Sequence, residues 1–193
     1  SGPGIITFGT PTVEDTTISA DADGTYTIRL TVIDNAGNSE FNEMILTWDT
    51  TIPLVDAGLD AITNVQITQN AIVDAGISGA ASYLWTKTSG PGTITFGTPN
   101  AEDTTISANI DGVYTIQLLV TDNAGNSAFD TMQFTWDTTI PLVDAGLDIL
   151  TNSIISQDAT ASDLFSGIAS YSWTKTSGPG IITFGTPTVE DTT

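Results

Sequence analysis

The residues whose chemistry could serve a function are acidic and amide side chains that recur 88 positions apart. Carboxylate, amide and carbonyl oxygens are the hard ligands that Ca²⁺ binds, about six to eight at a time. The candidates lie in three motifs, DADG (or its counterpart NIDG), WDTT and DNAG, and Asp163 adds a further acid near the second WDTT motif. The predicted calcium ligands are Asp21, Asp23, Asp49, Asp111, Asp122, Asn123 and Asp137.

A second interpretation of the same motifs needs no metal. Asp and Asn tolerate left-handed backbone and hydrogen-bond to neighbouring backbone groups, so DADG and DNAG are also typical turn sequences. Position 109 carries Asn where position 21 carries Asp, so the two copies need not bind a cation equally. From the sequence, a calcium site and a hydrogen-bonded turn both stay open.

Other chemistry has little support in these residues. Lys87 and Lys175 share a repeat position, which raises the question of an isopeptide bond, but a lysine at a strand end usually extends its ammonium into water. The chain has no Cys and no His, which excludes disulfides, thiol catalysis and Ser-His-Asp catalysis. No P-loop, dinucleotide-binding loop or nucleophile elbow is present. We therefore expect no enzyme activity.

The net charge of the chain limits which classes of partner it can bind. Three basic residues face 23 acidic ones, for a formal net charge of -20. Nucleic-acid binding needs cations that displace counterions from phosphates, so we exclude it. No apolar run approaches the roughly 18 residues of a membrane span, so we expect no membrane insertion in this segment. The apolar fraction of 39% is enough for a folded core.

Internal repetition organises the chain. SGPG begins at Ser1, Ser89 and Ser177, and DTTIPLVDAGLD begins at Asp49 and Asp137, so the period is 88 residues. Residues 177–193 repeat residues 1–17 without a change, whereas residues 89–105 differ from them at three positions. This pattern predicts a tandem array with an alternating unit of 176 residues.

The repeat also predicts where domains begin and end. A strand-like run meets a Pro at WDTTIP, and we place the boundaries there. Residues 1–49 are then the C-terminal half of one repeat, residues 50–137 a complete repeat, and residues 138–193 the N-terminal part of the next. Two explanations of the outer halves stay open. The sequence is an arbitrary window of a long array, which we favour, or the halves complete one another between copies and form a filament.

Period-two alternation of apolar residues predicts the strands. Apolar residues of 113–121 fall on one face, then DNAGNS marks a turn and a partner strand runs to Trp136, so we expect a hairpin. In SYLWTKT, Tyr83 and Trp85 share a face that we expect to point inward, since Leu84 is replaced by Ser172 in the next copy. Tyr114, which follows an Asp-Gly turn, is expected to bond back to the backbone. The aromatic residues predicted to fill the core are Tyr83, Trp85, Phe96, Tyr114, Phe134 and Trp136.

Seven or so strands in 88 residues, with no helical period, predict an all-β protein of tandem immunoglobulin-like β-sandwiches. Such a topology positions the acidic motifs. The DADG turn of one domain and its last residue, Asp49, would meet Asp122 and Asn123 of the next domain. At the second junction Asp111 and Asp137 take these places. We therefore expect the candidate calcium ligands to gather where domains join.

The motifs AGxD, SYxWTKTSGPG and DGxYTIxLxVxDNAGNS resemble the PKD-type and related immunoglobulin-like repeats of extracellular surface proteins. The junction WDTTIP is similar to the DTTAP-like junctions of bacterial adhesin arrays. One departure is ISGA at positions 77–80, where the family often has an acidic loop. The resemblance covers the whole period and implies an extracellular stalk, spacer or adhesin module.

We therefore expect a structural segment of a long extracellular fibre or adhesin stalk, stiffened at its junctions by calcium or by packing. Its partners would be neighbouring repeats of the same chain and other copies, through lateral or end-to-end self-assembly. The alternative from another class is a module that binds a glycan or a host protein through its loops. Residues 70–80 and 158–166 differ most between copies, and a ligand would be sought there.

Overall fold

A computed structural model describes all residues, 1–193, and contains fifteen strands and no α-helix. No helix that could cross a membrane is therefore present. The all-β prediction is confirmed. The strands are β1 (Ile6–Phe8), β2 (Ile18–Ala20), β3 (Gly24–Ile33), β4 (Ser39–Trp48), β5 (Leu54–Asp56), β6 (Ala61–Thr63), β7 (Ile67–Gln69), β8 (Ile72–Asp74), β9 (Ala80–Ser89), β10 (Ile94–Phe96), β11 (Thr104–Ala108), β12 (Gly112–Asp122), β13 (Ser127–Trp136), β14 (Leu142–Asp144) and β15 (Thr160–Ser162).

Residues 50–137, the middle segment, form a sandwich. One sheet has the strand order β6-β13-β12-β9, and the other has the order β10-β11-β7; β5 and β8 form a small separate pair. All neighbours are antiparallel except β6, which runs parallel to β13. Ile106 of β11 packs in one core cluster with Trp85 of β9 and Phe134 of β13, so the apolar faces of the two sheets meet there.

The alternation predicted for β12 is visible in its burial. Tyr114, Ile116, Leu118 and Val120 are fully buried, whereas the residues between them are partly buried. Trp85 lies opposite Leu118 in the β9–β12 register, which explains why it is buried and its neighbour Leu84 is exposed. Period two with one apolar face is what a strand on a sandwich core requires.

Residues 1–49, the first segment, consist of the hairpins β1–β2 and β3–β4. The β3–β4 register is the β12–β13 register shifted by 88 residues, with Gly24 opposite Trp48 as Gly112 is opposite Trp136. Tyr26 and Ile28 are buried, but the apolar side chains nearer the turn are exposed. This segment thus has the strands of a sandwich without a complete core.

Residues 138–193, the third segment, repeat the first half of the middle segment. β14 pairs with β15 as β5 pairs with β8, and Gln157 pairs with Thr192 as Gln69 pairs with Thr104. Residues 168–177, the counterparts of β9, form no strand. The reason is that β9 pairs with β12, and the third segment has no counterpart of β12 to supply that ladder.

Candidate domain-junction site

The first junction is the linker between β4 and β5, and Asp23 holds it on one side. Asp23 lies in the DADG turn before β3, and its Oδ1 accepts hydrogen bonds from Thr50 N and Thr50 Oγ1, both at 2.9 Å. Its Oδ2 accepts a hydrogen bond of 2.6 Å from Thr51 Oγ1. These bonds, led by those from the Thr51 and Thr50 hydroxyls, hold the pKa of Asp23 below its usual value. Asp23 therefore ties the linker to the first segment.

Asp49 holds the same linker on the other side. Its carboxylate is buried; Oδ1 accepts from Thr51 N and Oδ2 accepts from Ser78 N, each at 3.1 Å. The Asp49 carbonyl oxygen accepts from Asn126 Nδ2 at 3.1 Å. Ser78 and Asn126 belong to two loops of the middle segment, so Asp49 joins the end of β4 to the neighbouring sandwich.

The second junction repeats this geometry 88 residues later. Asp111 accepts from Thr138 N at 2.9 Å and from the Thr139 hydroxyl at 2.6 Å. These hydrogen bonds hold the pKa of Asp111 low, the Thr139 hydroxyl having the largest effect. Asp137 accepts from Thr139 N and from Ser166 N, both at 3.1 Å. The repetition indicates that the junction geometry is a property of the repeat.

The two junctions differ in the loop that carries the serine, which reads AGIS at positions 75–78 and DLFS at positions 163–166. Asp163 stands where the first junction has Ala75, and its Oδ1 accepts from the Ser166 hydroxyl at 2.9 Å. At the first junction the equivalent Ser78 hydroxyl is buried and has no hydrogen-bond partner. Burial raises the pKa of Asp163, but hydrogen bonds from Ser166 and Gly167 outweigh this and lower it. The substitution thus explains the unpaired hydroxyl of Ser78.

Asp122 and Asn123 do not present their side chains freely to the linker. Asp122 is buried and holds its own turn, accepting from Ala124 N at 2.9 Å and from Asn126 N at 2.8 Å. Burial raises its pKa, but the hydrogen bonds, chiefly from Asn126, lower it overall. The Asn123 amide donates to the carbonyl oxygens of Ser78 and Gly79 at 2.8 and 3.0 Å. Asn123 therefore closes the gap between two loops of the middle segment.

Asp21 does not contact the linker. Its Oδ1 accepts a hydrogen bond of 2.6 Å from Ile5 N, in the segment between the SGPG loop and β1. The counterpart Asn109 uses its own Oδ1 to accept from Thr93 N at 2.7 Å. A carboxylate and an amide oxygen serve this role equally well, which accounts for the Asp-to-Asn difference between the copies.

The structure therefore brings Asp23 and Asp49 to one linker and Asp111 and Asp137 to the other. No group of three or more Asp, Glu, His or Cys side chains is close enough to hold a metal ion. The carboxylates at the linkers instead accept hydrogen bonds from N–H and O–H donors. The observed role is that of hydrogen-bonded turns and clamps, and calcium binding stays a prediction.

The remaining expectations concern the aromatic residues and the lysines. Trp85, Tyr114 and Phe134 are buried, and the other three predicted aromatic residues pack against them, which confirms a core role. The Tyr114 hydroxyl donates to the carbonyl oxygen of Ile110, as expected for a tyrosine after an Asp-Gly turn. Lys87 Nζ donates to carbonyl oxygens of the SGPG loop, 2.8 Å for Gly90, and no Asn or Asp side chain is among its partners.

Sequence reasoning missed the partners of the acids. Thr50, Thr51, Ser78 and Asn126 supply the donors at the first junction. The repeat could have identified these four residues, because each of them recurs 88 positions away. Ser78 and its counterpart Ser166 are retained although most of the residues around them differ. Stiffening by apolar packing stays a prediction: Pro53 of the first linker is buried, whereas Ile52 and Ile140 are exposed. Hydrogen bonds hold the first linker on both sides.

Antiparallel sheets packed on one apolar core, with a tyrosine bonded back to the preceding turn, define an immunoglobulin-like sandwich. Comparison with known families agrees. Residues 57–135 match the K319L-like PKD domain, and residues 3–50 match a bacterial Ig-like domain. The chain thus contains a PKD domain and a bacterial Ig-like domain.

Among solved structures, the chain is similar to the solution structure of the PKD domain from KIAA 1837 protein, with 20% sequence identity and a TM-score of 0.38. That match covers 49% of this chain and 96% of the other. No curated protein matches the chain. Both matched families are non-catalytic domains typical of surface proteins, and the exact domain bounds of 1–49, 50–137 and 138–193 stay predictions.

Proposed function

We propose that this chain is a spacer segment of a long extracellular stalk or fibre, and that its junctions are stiffened by paired aspartates. The observation that carries the proposal is the repetition of one clamp at both linkers. Asp49 and Asp137 each accept from the N–H two residues ahead and from a serine N–H of the following segment. A spacer needs the same joint each time the module recurs.

The two aspartates of a junction act on opposite sides of the linker. Asp23 bonds Thr50 and Thr51 from the first segment, whereas Asp49 bonds Ser78 of the middle segment. A short linker held from both sides has few conformations, unlike a Gly/Ser linker, which behaves as a random coil. The joint is therefore expected to keep neighbouring domains at a fixed angle.

The location and chemistry of the chain agree with this role. Bacterial Ig-like and PKD domains are typical of surface proteins, which supports an extracellular location. The scarcity of basic residues leaves trypsin-like proteases three sites in 193 residues. A net charge of -20 keeps neighbouring copies apart at the crowded surface of a cell. No enzymatic role is proposed.

The proposal is tested by the spread of distances across the first junction. The chain has no cysteine, so the double substitution Thr47→Cys, Thr131→Cys places spin labels at two exposed strand positions, one in each segment. Pulsed electron paramagnetic resonance should give a narrow distribution of distances between the two spin labels. Asp49→Ala should broaden it several-fold, because the bonds to Thr51 and Ser78 are lost. Asp49→Asn keeps one acceptor oxygen and should broaden it less.

The matched control is Asp15→Ala, which removes the same charge from an exposed side chain that accepts no hydrogen bond. It should leave the distribution unchanged. A broad distribution in the unsubstituted junction, or an equally narrow one in Asp49→Ala, would overturn the stiff-joint proposal.

A further inference from the structure

We propose that the outer face of the middle sheet binds the same face of a second copy, so that two copies lie side by side. The middle sheet is β6-β13-β12-β9 of the complete sandwich, and its outer face consists of the even-numbered residues of 82–86 and the odd-numbered residues of 113–121 and 127–135. These side chains point away from the core, because side chains of a strand alternate between its two faces.

One apolar row crosses this outer face. Leu119 of β12 lies opposite Leu84 of β9 on one side and opposite Phe129 of β13 on the other. Phe129 is 63% exposed and Leu84 is 42% exposed, and Leu119 between them is partly buried. Large apolar side chains grouped on an exposed sheet face mark an interaction surface.

The outer face has no charged residue, although the chain carries three basic and 23 acidic ones. Several of its hydroxyl groups are also paired with one another or with a neighbour. The Thr121 and Ser127 hydroxyls are 2.9 Å apart, and the Ser89 hydroxyl donates to Thr115 Oγ1 at 2.8 Å. Burying a polar group costs much less when it is hydrogen-bonded, so this face can be covered at little cost.

The corresponding face of β3–β4 is different in character. Arg29 stands at the place of Gln117 and forms an ion pair of 2.7 Å with Glu43. The Arg29 guanidinium also lies 4.1 Å from the ring centroid of Phe41, the counterpart of Phe129. A cation over an aromatic ring is a favourable contact that covers the ring. Phe129 has no such cover, because Gln117 is uncharged.

Two further differences between the repeats act in the same direction. Leu119 stands where the first segment has Thr31, and Leu84 stands where the third segment has Ser172. The middle repeat therefore replaces both charged and hydroxyl side chains of its neighbours by uncharged or apolar ones on a single face. Such a face recurs wherever a repeat of the middle type recurs.

A second copy is the partner that this face fits. Two chains of net charge -20 repel each other, and the repulsion is weakest where the facing surfaces carry no carboxylate. A partner recognised through ion pairs would find no opposite charge here. Two apolar sheet faces pack on one another with their strands aligned to within about 30°, as the two sheets of a sandwich do.

The unequal ends of the apolar row set the orientation of the two copies. A two-fold axis parallel to β12 places Phe129 of one copy on the partner's Leu84, so the gap between the sheets stays even. An axis across the strands would place phenyl on phenyl and hold the leucines apart. The first arrangement is a self-complementary contact in which both chains run in the same direction.

The area of the face predicts a weak contact. Strands of about ten residues at roughly 3.3 Å each, with three strands about 4.8 Å apart, give a face of roughly 500 Å². Stable complexes bury about 800 Å² on each partner. One pair of faces should therefore associate weakly, and several pairs along a tandem array should associate more strongly through their effective concentration.

Sedimentation equilibrium of the 193-residue chain, from micromolar to millimolar concentration, tests the proposal. We expect the mean mass to rise toward that of a dimer, and to rise further at high salt, which screens the repulsion between the copies. The double substitution Gln117→Arg, Thr131→Glu installs the ion pair of the first hairpin without changing the net charge. It should abolish the rise in mass.

A second variant and its control test the apolar row. Phe129→Asp alters an exposed side chain, so the fold should persist and the rise in mass should be lost. The matched control is Ile72→Asp, which adds the same charge at an exposed position of β8, outside the middle sheet. It should leave the association unchanged. Circular dichroism of each variant checks that the sandwich is folded.

A spin label at Ala124→Cys, in the exposed turn before β13, tests the orientation. In the proposed arrangement the two labels lie at the same end of the pair, closer than one strand length of about 33 Å. A longer distance would overturn this orientation. A mass that stays that of one chain at every concentration would overturn the second copy as the partner and leave the face to an uncharged partner of another kind. Association that survives both outer-face variants, or that is lost equally in Ile72→Asp, would also overturn the proposal. None of these results bears on the stiffness of the junctions.

Discussion

The hairpins β3–β4 and β12–β13 have the same register and the same turn sequence but different surroundings. In both turns an aspartate, Asp34 or Asp122, accepts from the N–H groups two and four residues ahead. In both, the glycine three residues after it, Gly37 or Gly125, has a positive φ near 90°. The hairpin is therefore a local product of its sequence.

Burial distinguishes the two hairpins. β12 lies between β13 and β9 and faces a second sheet, whereas β3 has β4 alone. The outer face of β3–β4 carries the exposed Arg29–Glu43 ion pair at 2.7 Å, and such a pair contributes little to stability. Half of a repeat can therefore form its strands alone, but the core needs both halves of the period.

The largest expected difference follows from removing one apolar side chain in each hairpin. Leu118→Ala should destabilise the middle segment by about 2–5 kcal/mol, because it leaves a cavity in a close-packed core. Leu30→Ala should cost less than about 0.5 kcal/mol, since that side chain is exposed. Urea unfolding followed by hydrogen exchange resolves both segments. Equal costs would show that the first segment has a core of its own.

A smaller difference is expected at the turns. Asp122→Ala should lower the unfolding midpoint by a few degrees, because Asn126 links the turn of Asp122 to Asp49. Asp34→Ala should lower it less, because Asn38 links the turn of Asp34 to no other segment. Thermal unfolding at neutral pH measures this. Asp122→Asn, which keeps one acceptor oxygen, should fall between Asp122→Ala and the unsubstituted chain.

The effect of these turns should also depend on pH. The pKa of Asp34 is lowered, chiefly by hydrogen bonds from Asn38. Burial raises the pKa of Asp122, but hydrogen bonds, chiefly from Asn126, outweigh burial and lower it overall. A carboxylate whose pKa is lowered in the folded state stabilises the fold fully when the pH is above its pKa in the unfolded chain, about 3.9 for Asp. This stabilisation is lost as the pH falls through the pKa of the folded state. The cost of Asp122→Ala should therefore disappear in acid. A cost that persists well below that range would contradict the hydrogen-bonded carboxylate.

The smallest effect is expected from calcium. The carboxylates at both junctions already accept hydrogen bonds, and Asn123 turns its amide N–H groups toward carbonyl oxygens. Millimolar calcium against excess chelator should thus shift the thermal midpoint by less than about 2 °C. A rise of many degrees, lost in Asp137→Ala but kept in the Asp15→Ala control, would establish the calcium site that the acidic motifs predict.

Much of the fold could be predicted from the residues. The alternation of apolar residues correctly predicted that Tyr114 and Leu118 are buried, because side chains of a strand point to alternate faces. The presence of Ser172 at the place of Leu84 in the next copy correctly predicted that the neighbouring Trp85 is buried. The candidate site was predicted only in part. The acids of the linkers were found, but their N–H and O–H partners were not, since hydrogen-bond donors such as Ser78 come from loops distant in sequence.

The repeat of 88 residues, the strand pattern, the turn chemistry and the net charge are properties of the sequence alone, because each depends on residue type and short spacing. Whether a given strand is buried, and what an aspartate at a linker binds, was decided by tertiary structure. Leu30 and Leu118 have nearly the same neighbours in sequence, yet one is exposed and the other is fully buried. The physical reason is that burial is produced by the second sheet and the adjoining strand, which residues far along the chain supply.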